Sequence, residues 1–199
     1  MLSPNLASRL TPVILMIAVV SLSGCSINVK DKNKDGEARV DIKTPLGDVH
    51  VNEQPDVKET GLVLYPGAKA AQKTSSDDKK SANVNITAPG FALKVVAAEF
   101  QSDDSSDKIL AFYKKELQRF GKPIECHSHW TGGGDVNVET GKEEGSKPVS
   151  CKSDSAGDTV ELKVGTKENQ HVVAVKPEGQ GTRFALVYVR ARTGSEDSI

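Results

Sequence analysis

The chain has 199 residues, room for one ordinary domain with a tail. Hydrophobic residues make up 37% and charged residues 27%, which excludes both a disordered polyelectrolyte and a polytopic membrane protein. Twenty-six basic and 27 acidic residues leave a formal charge of −1. That lacks the basic excess that phosphate backbones demand, so no nucleic-acid partner is expected.

The first 25 residues carry the most specific signal. Arg9 and the free amino terminus supply a short basic region, and residues 10–22 are mostly apolar, unbroken from Val13 to Val20. This stretch is shorter than the roughly 20 apolar residues of a spanning helix and fits the apolar region of a secretory signal peptide. Leu22-Ser23-Gly24-Cys25 then resembles the lipobox of bacterial lipoproteins. The resemblance implies a signal peptide over 1–24, cleavage between Gly24 and Cys25, and acylation of Cys25, so that the chain's first partner is a membrane. Each buried methylene contributes about 0.8 kcal/mol and one chain alone is marginal, so several acyl chains make the anchor durable. In that family Ser26, where an aspartate would mark inner-membrane retention, implies the outer membrane, with the domain facing the periplasm.

Residues 25–37 are polar and charged and read as a lipidated tether. Within them Asp31-x-Asn33-x-Asp35-Gly36 matches the first half of a calcium loop, but the twelfth position is Ile42 instead of a bidentate glutamate, so a solvated turn is the expectation. Residues 38–60 predict a β-hairpin and connector. Ala38, Val40 and Ile42 alternate inward, Thr44 to Asp48 is turn chemistry, and Val49 and Val51 continue the pattern. This hairpin is expected as a satellite of the main domain, followed by a polar connector.

The main domain is expected over 61–192 and a mobile tail over 193–199. Leu62 to Tyr65 is a short apolar run stopped by Pro66-Gly67, and 69–81 is loop-like. Strands are predicted over 82–87 and 91–100, the second apolar enough to be buried on both faces. Asp103, Asp104 and Ser105 offer N-cap oxygens to a helix over about 104–120, with Ile109, Phe112, Tyr113, Leu117 and Phe120 at three- and four-residue steps and Gly121 and Pro123 closing it. The stretch from Phe100 to Gly121, with its K-I-L-x-F-Y-K-x-x-L core, is similar to a segment of uncharacterised exported bacterial α+β proteins. That similarity implies a fold class and no activity.

With Cys25 given to lipid, Cys126 and Cys151 remain. The oxidising compartment that the leader implies favours a disulfide between them, worth roughly 3.5 kcal/mol across a 25-residue step by chain entropy. The competing reading joins Cys126, His127, His129 and Cys151 as ligands for zinc or copper. C-H-x-H is not a zinc-finger spacing, and on a strand His127 and His129 share a face opposite Cys126. Three further strands are predicted over 159–164, 171–176 and 183–190, with Val160, Leu162 and Val164 inward. Strands around a single helix give an α+β fold, a twisted antiparallel sheet with the helix on one face. Its other face would be covered by the 38–51 hairpin or by the cysteine-bounded segment.

Motifs for catalysis are lacking: no G-x-S-x-G elbow, no phosphate loop behind Gly132 to Gly134, and no C-x-x-C. His50 and His171 lie on predicted strands without an assignable partner. The expectation is a non-enzymatic, lipid-anchored binding or structural module of the cell envelope, without a cofactor. It would meet an envelope protein or a glycan through a surface such as Trp130 and its glycine-rich neighbours. The alternative is a metal-binding or metal-delivery lipoprotein.

Overall fold

The computed structural model describes residues 26–30, 39–52, 56–71, 81–129, 139, 144–151 and 157–193. Cys25, the calcium-like loop at 31–36, Trp130 with its glycine-rich neighbours, and 194–199 of the expected tail lie outside the described residues. The described residues form an antiparallel sheet and one α-helix, consistent with the α+β class. The strands are β1 (Ser26–Lys30), β2 (Arg39–Thr44), β3 (Gly47–Asn52), β4 (Lys69–Ala70), β5 (Ser81–Ala88), β6 (Phe91–Ser102), β7 (Ile124–Ser128), β8 (Thr159–Thr166), β9 (Asn169–Glu178) and β10 (Gly181–Thr193). Their order is β1-β2-β3-β5-β6-β10-β9-β8-β7, with β4 pairing β6 outside this path. Among the described residues no helix is long and apolar enough to cross a membrane.

The helix, α1 (Ser106–Leu117), continues as a 3-10 turn over Gln118–Phe120, as the periodicity predicts. Ser105 is the N-cap by position, but its side chain makes no capping bond; its carbonyl instead accepts from Lys108 and Ile109. Ile109, Leu110, Tyr113 and Leu117 bury their side chains against Leu162, Val164, Val173, Val175, Phe184 and Leu186 of β8, β9 and β10. The Tyr113 hydroxyl is satisfied inside this core: it accepts from the Tyr65 amide at 3.1 Å and donates to the Val63 carbonyl at 3.3 Å. Burial pushes that phenol well above its ordinary pKa.

The opposite sheet face is apolar as well. Val172, Ala174, Ala185, Val187 and Val189 are buried there, with Leu93, Val95 and Ala97 packed beside them. The register continues this face through Val84 and Ile86 to Val49, Val51, Val40 and Ile42, all half-buried. The expected hairpin forms from Arg39–Thr44 and Gly47–Asn52, but it neither stands apart nor covers this face. β3 pairs with β5, so the hairpin widens the same sheet edge-on. The cause is backbone bonding: the free edge of β5 needs a ladder partner, and alternation along β2 and β3 already matches the apolar side of β5. Gly47 permits the close approach, since at its φ of 144° a Cβ would stand 2.2 Å from the Thr87 carbonyl oxygen.

Three further differences concern local pairing. Ser26–Lys30, expected in a solvated tether, forms β1 on the edge of β2. Ile124–Ser128 forms β7 on β8, and Lys69–Ala70 makes a two-residue bridge to β6 within a loop-like stretch. Short polar strands of this kind carry almost no periodic signal. Thr193, placed in the tail, closes β10.

Candidate functional site: a polar groove on the sheet

α1 covers only one half of its sheet face. Over β2, β3, β5 and β6 the same face carries the polar half of each alternation. Asp41 lies opposite His50, His50 opposite Asn85, and Asn85 opposite Lys94, in one row across four strands. The next row pairs Asn52 with Asn83. A groove of about 640 Å³ runs over these residues.

Its wall is a hydrogen-bonded array. His50 Nδ1 stands 2.6 Å from Asp41 Oδ1, with the carboxylate accepting. Asn85 Nδ2 donates to Asn83 Oδ1 at 2.9 Å, and Asn83 Nδ2 donates to Glu59 Oε2 at 2.7 Å. Lys94 Nζ reaches the same Glu59 oxygen at 3.1 Å. Glu59 comes from a 3-10 turn, Val57–Thr60, whose N-cap Asp56 accepts from the Lys58 amide. The connector read from sequence as merely polar thus supplies the residue that ties the array together.

The same turn explains His171. Its Nδ1 donates to the Thr60 carbonyl at 2.9 Å, and its ring lies between Phe120 at 3.8 Å and Tyr188 at 4.9 Å. Burial pushes its pKa down to about 4, and the nearby Arg119 guanidinium adds to the shift against the raising effect of the Thr60 carbonyl. His171 is therefore a neutral packing residue that ties the connector to β9, whereas His50 is 43% exposed in its side chain and faces the groove.

The cysteine-bounded cluster resolves differently. Cys126 and Cys151 are joined as a disulfide. Cys126 is buried on the sheet face opposite α1. His127 points the other way, its Nε2 3.9 Å from Glu125 Oε1, and Glu125 is bound to Lys114 of α1 at 2.6 Å. His129 is exposed just beyond β7. The four expected metal ligands therefore do not come together: both sulfurs are consumed, and strand alternation separates the imidazole from Cys126. Among the described residues no three His, Cys, Asp or Glu side chains gather as a metal site.

Beside the disulfide, sequence reading missed a second polar feature. Glu161 and Lys163 on β8 point to the face opposite α1 and form an ion pair at 2.8 Å, with side chains 1% and 4% exposed. Glu161 also accepts from Ser128 Oγ at 2.7 Å. Val160, Leu162 and Val164 turn toward α1 as expected, and β8 is buried on its other face as well. No known family model, curated protein or solved structure matches this chain.

Proposed function

We propose that the chain is a lipid-anchored lipoprotein of a bacterial envelope, facing the periplasm from the outer membrane, and that it acts as a non-enzymatic binding module whose ligand is a hydroxyl-rich glycan held in the polar groove. The array of Asp41, His50, Asn83, Asn85, Glu59 and Lys94 is the observation that carries this reading. Its members fix one another, so little side-chain entropy is lost when a ligand arrives. What they leave over is amide, imidazole and ammonium hydrogen-bonding capacity in a concave setting, which suits hydroxyl groups. With His50 Nδ1 committed to Asp41, Nε2 is the ring nitrogen left for a ligand. The address rests on the order of basic, apolar and small residues before Cys25.

Two experiments test this. Mass spectrometry of the native product is expected to show cleavage before Cys25 and an acylated sulfur; an uncut leader or an unmodified Cys25 refutes the address. Titration of the mature chain with neutral oligosaccharides is expected to shift the groove amides by NMR. His50→Ala and Asn85→Ala are expected to weaken binding by about ten-fold each, the effect of losing one hydrogen bond to the ligand. Binding that is absent, or indifferent to both substitutions, refutes the groove.

A further inference from the structure

The groove does not stop at Lys94. Past Thr87, which lines both concavities, the same sheet face opens into a wider hollow of about 850 Å³ at the strand ends. The β2–β3 and β5–β6 turns, the start of β9 and the end of β10 enclose it. Arg190 and Arg192 line it from β10. Two residues apart on one strand, they share a face at a spacing of about 7 Å.

Their surroundings are unusual in charge. Arg190 lies opposite Lys94 on one side and Asn169 on the other, and Arg192 lies opposite Ala92. Like charges directly opposite across an antiparallel pair are destabilising. Lys94 is neutralised by Glu59, but among the described residues no carboxylate engages either guanidinium. Other arginines of the chain are served: Arg183, on the same strand, meets Glu178 at 3.2 Å, and Arg119 meets Glu116 at 3.5 Å. Asp48 and Glu168 line the same hollow without pairing with the two arginines. Two half-buried guanidinium forks on one concave face, neither paired among the described residues, match the flat, two-oxygen edge of a carboxylate or a phosphate.

We propose that Arg190 and Arg192 form an oxyanion subsite, so that the saccharide of the adjoining groove is an acidic one, bearing a carboxylate or a phosphate. This rests on the reading of the groove as a glycan site. The neutral groove residues hold the hydroxyls, and the arginine pair selects the charge.

The test uses the full mature chain with three ligands of equal length by titration calorimetry: a neutral oligosaccharide, its uronate form and its phosphorylated form. At least one acidic form is expected to bind about ten-fold or more tightly than the neutral one, with the preference shrinking as salt rises. Which acidic form wins identifies the source of the oxyanion. Arg190→Gln and Arg192→Gln are expected to abolish the preference, and Arg192→Lys to restore only part of it, because the charge returns without the fork. Unchanged thermal midpoints verify that each variant is folded. Equal binding of neutral and acidic forms overturns the subsite and leaves the groove standing. Persistence of the preference in the double glutamine variant also overturns the subsite. Failure of every saccharide to bind overturns both.

Discussion

The Glu161–Lys163 pair gives a sharp energetic expectation. Both charges are almost wholly buried at a separation of 2.8 Å. At an effective dielectric of 20, Coulomb attraction at that distance is about 6 kcal/mol. Desolvation of two ions offsets several kcal/mol each, so the intact pair contributes little net stability. Glu161→Gln keeps the shape, removes the charge, and takes from the buried Lys163 ammonium the carboxylate it pairs with. The expected loss is about 3–5 kcal/mol, a large share of the stability of an ordinary domain. Lys163→Met should lose a similar amount by removing the countercharge of a buried carboxylate. The double variant Glu161→Leu/Lys163→Met should fall within about 1–2 kcal/mol of the parent, the residual being the Ser128 hydroxyl that loses its acceptor. Urea unfolding of the disulfide-intact domain, fitted with a common m-value, gives the coupling energy from the cycle. Single losses below about 1 kcal/mol that add without coupling would refute the reasoning, since both charges would then be reaching water.

Two further predictions follow from buried chemistry. The folded pKa of His171, about 4, lies below its unfolded value, so the unfolded state takes up a proton first as pH falls. Stability should be level above about pH 6.5 and decline between about pH 6.5 and 4 by roughly 2–3 kcal/mol; His171→Phe should flatten that decline in pH-dependent urea titrations, and an unchanged slope would place the effect elsewhere. Reduction of Cys126–Cys151, or Cys126→Ser, should lower stability by about 2–4 kcal/mol, and thiol titration should find Cys126 and Cys151 reactive only after reduction.

The helix and the strands that flank it were legible because their periods are strong. Ile109, Tyr113 and Leu117 recur on one face of α1, and Val160, Leu162 and Val164 alternate on β8. The bridge between Cys126 and Cys151 could be inferred from cysteine usage and the compartment expected from the lipobox-like N-terminus. The groove could not be read the same way. Asp41, His50, Asn83, Asn85 and Lys94 lie on four strands, and only the register of β2, β3, β5 and β6 puts them in adjoining rows. The available hint was the content of the polar half of each alternation: Asp48, His50 and Asn52 on one strand and Asn83, Asn85 and Thr87 on another carry hydrogen-bonding groups where ordinary solvated strands carry lysine and glutamate. Glu59 gave no hint at all, because its role depends on a 3-10 turn folding back over the sheet. Glu161 and Lys163 were hidden for a related reason: alternation marks charged residues as outward, and burial of both sheet faces reverses that meaning.

The pairing of Ser26–Lys30 into β1 bears on how far the molecule can roam. Nine strands side by side, at about 4.8 Å each, make a slab about 38 Å wide with β1 at its rim. On the lipid anchor proposed at Cys25, the attachment point would adjoin Ser26, the first residue of this rim strand. The groove strands β2, β3, β5 and β6 lie one to four ribs from that rim, nearer to it than β9 and β8, on which α1 packs. Whatever the groove captures would therefore sit within about 5–20 Å of the sheet edge that β1 forms.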